Sequence, residues 1–272
     1  MTMAWRRLRD EAYLVAVAVQ FLTRLPVPAW VAREPWHPDS LNRCVRHFPL
    51  VGALVGGAGA GVAWSALLVW PPTVAATLAV TTTLWLTTAF HEDGLADTAD
   101  ALLGTATRER ALAIMKDSRI GTYGAAALAL ALWLRVSLLA EMLGVGALLG
   151  AAALVAMHAG ARAAAVVLMA TLAYGGDEAH AKAKPLARSV RPRDAAWATA
   201  TGASLLCLPW LAEPRVVHFW HGAAAAAALA LMVVATRMGL RRRLGGYTGD
   251  TLGACEQLGE IAVALAFVAL WP

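Results

Sequence analysis

Residues 146 to 173 read GALLGAAALVAMHAGARAAAVVLMATLA, an apolar stretch whose only ionisable side chains are His158 and Arg162. A transmembrane helix needs about 20 consecutive, predominantly apolar residues. The stretch is longer than that, so it is predicted to tilt or to extend beyond the membrane. His158 and Arg162 lie one helical turn apart, and ionisable groups at such depth are costly. Both are therefore candidate functional residues on a membrane-spanning helix.

The rest of the chain has the same apolar character. Of its 272 residues, 59% are hydrophobic and 15% are charged, whereas soluble domains carry about 25% charged residues. Apolar runs predict seven transmembrane helices, near residues 48–70, 73–90, 124–143, 146–173, 195–212, 217–236 and 254–271. Residues 11–22 are too few to span easily and follow Trp5-Arg6-Arg7-Leu8-Arg9, which favours an interfacial helix. The sequence predicts an all-α, polytopic membrane protein, with residues 1–272 as a single integral membrane domain. Gly52 and Gly56, four residues apart in the first apolar run, are expected to let membrane helices pack closely.

The basic residues predict how the helices are oriented. Twenty of the 23 lysine and arginine residues fall in four segments, residues 1–47, 91–122, 175–194 and 237–250. Short loops rich in lysine and arginine face the cytoplasm. Seven spans then place the N-terminus and the functional face on the cytoplasmic side of a bacterial inner membrane. The net charge of +5 is attributed to loops near anionic lipid and anionic substrate, and nucleic acid is not expected as a partner.

An acidic motif ends the second predicted span, Phe90-His91-Glu92-Asp93-Gly94-Leu95-Ala96-Asp97-Thr98-Ala99-Asp100. On a helix, Asp93, Asp97 and Asp100 project from one face. Like charges on one face destabilise a helix unless a cation bridges them. Carboxylate oxygens suit Mg²⁺, Mn²⁺ or Ca²⁺. The alternative is a solvated acidic loop closing a membrane helix, but three acids in register beside apolar sequence favour a metal site.

Two further segments on the predicted cytoplasmic side are candidates for phosphate binding. Residues 107–124 predict a short amphipathic helix followed by a polar turn, in which Lys116, Ser118 and Arg119 offer phosphate donors. The alternative is a helix that grips lipid headgroups. Before the last span, a glycine-rich turn containing Thr248 and Gly249 could bind an anion at a helix N-terminus.

Three other charged residues lie in the predicted cytoplasmic loops. Asp250 either caps the last helix or joins the acidic cluster. Lys182 and Lys184, in the loop after the long fourth span, add two cations. Acids for a divalent metal and cations for phosphate, on a membrane scaffold, together indicate phosphoryl or nucleotidyl transfer.

Five stretches of the sequence form a recognisable set, Phe21–Pro28, Phe48–Gly52, Phe90–Asp100, Arg108–Gly124 and Gly245–Ala254. In residues and order they resemble the cobalamin synthase family, the adenosylcobinamide-GDP ribazoletransferases. The resemblance implies a Mg²⁺-dependent membrane enzyme that joins adenosylcobinamide-GDP to α-ribazole, or to its 5′-phosphate, and releases GMP. Mn²⁺ is expected as a substitute for Mg²⁺. The implied partners are corrinoid and nucleoside substrates and membrane lipid, and association with other corrinoid-pathway enzymes or with a second copy of the chain is a further expectation.

We expect three groups of site residues. The metal ligands are Asp93, Asp97, Asp100 and Asp250. The catalytic residues are Asp93, Lys116, Arg119 and His91, with His91 or a carboxylate as the base. The substrate-binding residues are Ser118, Arg162, Lys182, Lys184, Thr248 and Gly249.

Two other functions fit parts of the sequence. In the signature of CDP-alcohol phosphotransferases, which transfer lipid headgroups, an arginine stands at the position of Asp97. A secondary transporter of an anionic solute would favour discontinuous helices in symmetric repeats, and the sequence has no such symmetry. The chain also departs from the cobalamin synthase pattern at Gly175-Gly176, where many members continue Ala-Arg, and at Gln257, where a glutamate is common and Glu256 precedes instead. Glu92 is not ranked as a metal ligand.

Overall fold

A computed structural model describes residues 3–34, 39–104, 107–176 and 189–269. Within these ranges every regular element is helical. The α-helices are α1 Met3–Leu22, α2 Ala29–Arg33, α3 Asp39–Cys44, α4 Phe48–Ala66, α5 Pro72–Leu86, α6 Phe90–Leu102, α7 Arg108–Met115, α8 Thr122–Val145, α9 Ala147–Thr171, α10 Pro192–Leu205, α11 Leu208–Ala212, α12 Phe219–Arg243 and α13 Gly249–Ala269. A 3-10 turn, Val45–His47, joins α3 to α4.

Six helical segments of the described chain are long and apolar enough to cross a membrane. They are Asp39–Ala66, Thr122–Val145, Ala147–Thr171, Pro192–Ala212, Phe219–Arg243 and Gly249–Ala269. These segments confirm the all-α membrane class and correspond to six of the seven predicted spans. The first is assembled from α3, the 3-10 turn and α4, and the fourth from α10 and α11.

The remaining predicted span, residues 73–90, is broken in the structure. Helix α5 ends at Leu86, and α6 leaves it at an angle of 88°. Thr88 and Ala89 have φ values of 57° and 55°, in the left-handed region that costs roughly 1–2 kcal/mol for a residue with a side chain. The acidic motif therefore forms a separate helix at a steep angle to α5 and does not extend the span.

The segment after α1 holds this break in place. The backbone N–H of Arg24 donates to the carbonyl oxygen of Leu86 at 2.9 Å, satisfying one of the carbonyls at the end of α5. The Arg24 guanidinium also lies over the Trp85 ring, 4.6 Å from its centroid. Part of the Phe21–Pro28 element thus has a structural role at the point where the chain turns into α6.

Helix α9 is the centre of the bundle, and 83% of its most apolar 18-residue stretch is buried. It packs against α4, α8, α10, α12 and α13. A Cβ atom at Gly52 would lie 2.3 Å from the carbonyl oxygen of His158, and one at Gly56 would lie 2.7 Å from that of Leu154. The predicted packing role of Gly52 and Gly56 is confirmed, because only glycine lets α4 approach the α9 backbone this closely.

Helix α1 is longer than the predicted interfacial segment 11–22 and covers residues 3–22. Four of its buried side chains, Leu14, Val17, Ala18 and Leu22, recur at the spacing of one helix face. Trp5 and Leu8, nearer its start, are exposed. The predicted helix over residues 11–22 is confirmed, and the location of α1 in the membrane interface stays a prediction.

Candidate active site

The acidic helix α6 has the register that the sequence predicts. Asp93 is exposed and Asp97 and Asp100 are partly exposed, whereas Leu95 and Ala99 are buried. The three aspartates therefore lie on the side of α6 that faces away from the bundle core. Carboxylates in this setting are accessible to solvent, as a ligand-binding surface requires.

Helices α6 and α13 cross in backbone contact. A Cβ atom at Gly94 would lie 2.7 Å from the carbonyl oxygen of Asp250, and one at Gly253 would lie 3.1 Å from that of His91. Real Cβ atoms essentially never come within 3.0 Å of another heavy atom. Because Gly94 adjoins Asp93 and lies one turn before Asp97, the crossing places Asp250 beside the acidic helix.

Thr248 caps the N-terminus of α13. Its hydroxyl accepts from the backbone N–H of Thr251 at 3.2 Å, and the Thr251 hydroxyl accepts from the backbone N–H of Thr248 at 2.8 Å. This reciprocal arrangement is a capping box. Asp250 is the second residue of the helix, so Thr248 takes the cap position that was one of the two alternatives for Asp250.

Asp100 joins the end of α6 to the start of α8. Its two carboxylate oxygens accept from the backbone N–H groups of Gly121, at 2.6 Å, and Gly124, at 2.8 Å. A Cβ atom at Gly121 or Gly124 would lie 2.5 or 2.3 Å from an Asp100 oxygen. The glycines after α7 are therefore required by this contact, and Asp100 has a structural role in addition to its predicted role as a metal ligand.

The donors predicted to bind phosphate follow α7. Lys116, Ser118 and Arg119 are all exposed. Arg119 Nη2 lies 2.6 Å from Asp117 Oδ2, and this hydrogen bond lowers the pKa of Asp117 to about 2. The same pairing raises the pKa of Arg119. The Asp117–Arg119 pair is therefore ionised at neutral pH, on a surface that a phosphate group could reach.

Arg108 fixes α7 to two other loops. Its side chain donates to the carbonyl oxygens of Leu244 and Gly175, both at 2.9 Å. A Cβ atom at Gly246 would lie 2.1 Å from the carbonyl oxygen of Ala173. The glycine-rich turn before α13, the end of α9 and the start of α7 are thus held together. Lys182 and Lys184 lie outside the described residues.

A buried ionic network lies behind the acidic helix. Arg135 Nη1 lies 2.9 Å from Glu92 Oε1, and Arg135 Nη2 lies 2.7 Å from Glu260 Oε2. Arg162 Nη1 lies 2.6 Å from Glu256 Oε1. Two arginines and three glutamates leave one negative charge in the network.

Two predicted site residues belong to this network. His91 Nε2 is paired with Glu256, and His158 Nδ1 lies 2.5 Å from Glu260 Oε1. Arg162, predicted to bind substrate, is 1% exposed. His91, predicted as a catalytic base, is buried as well. Both residues connect α6, α9 and α13 in this structure, and their predicted roles in catalysis and binding stay predictions.

Four members of the network are not among the predicted site residues, namely Glu92, Arg135, Glu256 and Glu260. Glu256 and Glu260 are one helical turn apart in the last predicted span, the same pattern that drew attention to His158 and Arg162. Ionisable residues at membrane depth face the bundle interior and pair with one another. That rule, applied to all the predicted spans, finds Arg135, Glu256 and Glu260, whereas Glu92 lies just beyond the predicted span 73–90.

The described residues contain one group of three potential metal ligands whose atoms lie within 4.8 Å of one another, His158, Glu256 and Glu260. Arginines already pair with both glutamates, so we do not assign this group to a metal. The aspartates of α6 and Asp250 form no such tight group in the part of the chain described. Their hard, solvent-accessible oxygens nevertheless fit Mg²⁺, which usually keeps several waters and binds through a few carboxylates and substrate phosphates.

Comparisons with known proteins bear on the identity of the chain. Residues 14–268 match the family model described as cobalamin-5-phosphate synthase. The chain is 48% identical over 259 residues to the adenosylcobinamide-GDP ribazoletransferase of Leptothrix cholodnii, covering 95% of this chain and 96% of that protein. It is 43% identical over 267 residues to the ribazoletransferase of Ralstonia nicotianae, covering 96% and 97%. No solved structure matches. The match to the family model over nearly the whole chain, with these relatives, shows that the protein belongs to the cobalamin-5-phosphate synthase family.

Proposed function

We propose that the protein is an adenosylcobinamide-GDP ribazoletransferase, which joins adenosylcobinamide-GDP to α-ribazole, or to its 5′-phosphate, and releases GMP. The observation that carries the proposal is the α6–α13 crossing. Because Gly94 has no side chain, the backbone of Asp250 packs against α6 there, beside Asp93 and Asp97. Relatives named for this activity cover almost the whole chain. A headgroup transferase or a transporter has no comparable support.

The proposed metal is Mg²⁺, with Asp93, Asp97, Asp100 and Asp250 as the residues that would hold it. When bound, it would neutralise diphosphate charge and make GMP a better leaving group. Asp93 is the most accessible donor on α6, whereas Asp100 already binds two backbone N–H groups. We therefore expect Asp93 to be the most sensitive of the four positions.

The exposed cations have a separate role in the proposal. Lys116 and Arg119 would stabilise the charge that develops on the transferring phosphoryl group, and the Ser118 hydroxyl would donate to it. Thr248 and Gly249, at the start of α13, would line the same region. Arg119 would exchange its Asp117 partner for the phosphate, which an exposed pair can do at low cost because such pairs are weak.

In the proposed reaction a hydroxyl oxygen of the ribazole forms a bond to the phosphorus attached to the cobinamide arm. The bond from that phosphorus to the bridging oxygen breaks, and GMP leaves with the electron pair. The hydroxyl proton passes to a carboxylate of the α6 face or to His91. Burial of His91 against Glu256 makes the exposed carboxylates the more accessible acceptors.

The direct test uses purified protein in detergent with adenosylcobinamide-GDP, α-ribazole and Mg²⁺. Formation of a cobalamin product together with an equal amount of GMP, followed by chromatography, is the expected result. A parallel reaction supplies CDP-diacylglycerol and an alcohol. Headgroup transfer in that reaction, without a cobalamin product in the first, would contradict the proposal.

We also propose that the protein lies in the inner membrane with its N-terminus and the site in the cytoplasm, as the distribution of basic residues supports. Single cysteines at the exposed positions Arg110 and Arg241 should be labelled from the cytoplasm, and those at Thr73 and Arg215 from outside. The background carries Cys207→Ser, because Cys44 and Cys255 are buried. Labelling of Arg110→Cys and Thr73→Cys from the same side would overturn this orientation.

A further inference from the structure

A small cavity opens beside the acidic helix, where α1, α4, α6, α9 and α13 meet. Its volume is about 60 Å³. Three of its walls are aromatic, Phe21, Phe48 and Phe90. The rings of Phe21 and Phe48 are stacked with centroids 6.1 Å apart, and Phe90 meets Phe21 edge-on at 6.0 Å. Such an arrangement presents both ring faces and ring edges to an occupant.

The rest of the lining is mostly aliphatic and includes Leu22, Ala165 and Met169. The polar side chains that reach the cavity are those of His91 and Glu256, and these pair with each other. A diphosphate or a guanine base would leave polar groups without partners against such walls, at a cost of about 1–3 kcal/mol for each group. The cavity therefore suits an apolar, planar group.

The position of the cavity connects it to the site of transfer. Gly249 and Leu252 line it, and they stand on either side of Asp250 in the first turn of α13. Phe90, which also lines it, lies one helical turn before Asp93 on the same side of α6. An occupant of the cavity would thus extend toward the acidic surface that the proposed function uses.

We propose that this cavity receives the benzenoid edge of the dimethylbenzimidazole base of α-ribazole, an inference that rests on the proposed function. An engineered cavity of about 150 Å³ binds benzene, so a cavity of about 60 Å³ takes the methylated edge and not the whole bicyclic base. The ribose then remains outside, next to Asp93 and Asp250. This placement gives Phe21 and Phe48, which belong to two of the elements shared with the family, a role in substrate binding.

The first test compares Phe21→Ala with Phe219→Ala, which removes an aromatic ring that is 64% exposed and lies outside the cavity. Phe21→Ala should raise the KM for α-ribazole about tenfold or more, the effect of losing part of a hydrophobic subsite. It should leave the KM for adenosylcobinamide-GDP within about twofold. Unchanged KM values for both substrates in an active Phe21→Ala protein would overturn the inference.

The second test narrows the cavity with Ala165→Leu. The added side chain should reduce kcat/KM for α-ribazole about tenfold relative to that for the riboside of unsubstituted benzimidazole, because the methyl groups lose their space. If Ala165→Leu reduces kcat/KM equally for both nucleosides, the cavity holds something other than the base, such as an acyl chain.

Binding measured without the corrinoid separates this inference from the proposed function. Isothermal titration of the wild-type protein with α-ribazole should show binding that Phe21→Ala weakens and Phe219→Ala does not. A wild-type protein that binds α-ribazole through Phe21 but forms no cobalamin would contradict the proposed function alone. If the wild-type protein forms cobalamin and Phe21→Ala binds α-ribazole as tightly as the wild type, only the inference about the cavity is contradicted.

Discussion

The backbone of Asp250 packs directly on Gly94, so closely that a Cβ atom at Gly94 would lie 2.7 Å from the Asp250 carbonyl oxygen. The two residues are far apart in the sequence, and their contact makes the acidic face of α6 and the first turn of α13 one surface. Since Thr248 caps α13, the Asp250 carboxylate is not required for that purpose. The contact is the structural basis for including Asp250 in the candidate metal site.

Gly94→Ala should therefore separate α6 from α13. Overpacking of this kind costs about 1–3 kcal/mol, so we expect a lower melting temperature and turnover at least tenfold below that of the wild type. Gly57→Ala and Gly61→Ala are matched controls, because a Cβ atom at either position meets nothing within 4 Å. If Gly94→Ala has the same melting temperature and turnover as the controls, the crossing accommodates a Cβ atom at Gly94.

Asp93→Asn should abolish transfer almost completely, with severe loss for Asp97→Asn. The amide keeps the size of the side chain and removes its charge, so the variants test metal binding and not packing. Activity should require Mg²⁺ or Mn²⁺ and stop with a chelator, because hard oxygen ligands prefer these ions. Mn²⁺ binding followed by electron paramagnetic resonance should weaken in both variants and persist in Asp10→Asn, an exposed acid on α1. Ordinary turnover and metal dependence in Asp93→Asn would rule out the acidic helix as the catalytic metal site.

Asp100→Asn should also cause severe loss of transfer, but with a loss of stability that Asp93→Asn lacks. One carboxylate oxygen becomes an N–H donor facing the backbone N–H of Gly121 or Gly124, and a hydrogen bond to a charged group contributes about 1.5–3 kcal/mol. Gly124→Ala should lower the melting temperature similarly, since its Cβ would lie 2.3 Å from an Asp100 oxygen. If Asp100→Asn weakens Mn²⁺ binding at an unchanged melting temperature, its main role is that of a metal ligand.

Arg135→Met should strongly destabilise the protein. It leaves Glu92 and Glu260 buried without their shared partner, and breaking a buried ion pair in this way costs roughly 3–5 kcal/mol. Size-exclusion chromatography and thermal unfolding in detergent should show aggregation or a marked fall in melting temperature. Adding Glu260→Gln should recover part of the loss, whereas Arg215→Met, at an exposed position, should have little effect. A stable Arg135→Met protein would mean that water or another cation reaches the network.

Lys116→Ala and Arg119→Ala should each reduce turnover about 100-fold in a folded, membrane-inserted protein, the usual effect of removing one donor to transition-state charge. Arg110→Ala is the matched control, since it removes an exposed cation from the same segment. Near-normal turnover in both test variants would favour the alternative that this segment grips lipid headgroups.

The sequence by itself determined the membrane class, the positions of six spans, the register of the acidic helix and the packing role of Gly52 and Gly56. These features depend on local patterns, namely the length of apolar runs, the helical period and the absence of a side chain. The same patterns determined that Asp93 and Asp97 would share one face, because residues four apart on a helix are neighbours.

The tertiary structure alone decided where α5 ends and which charges meet. The predicted span 73–90 contains no proline and no glycine, so no local sequence signal predicts the 88° break. The break contains two left-handed residues, and the contact from Arg24 stabilises it. Likewise Glu92 pairs with Arg135, and Asp250 meets Gly94, across long stretches of chain. A buried charge must find an opposite charge, but its own neighbours do not specify which one, because the choice depends on how whole helices pack.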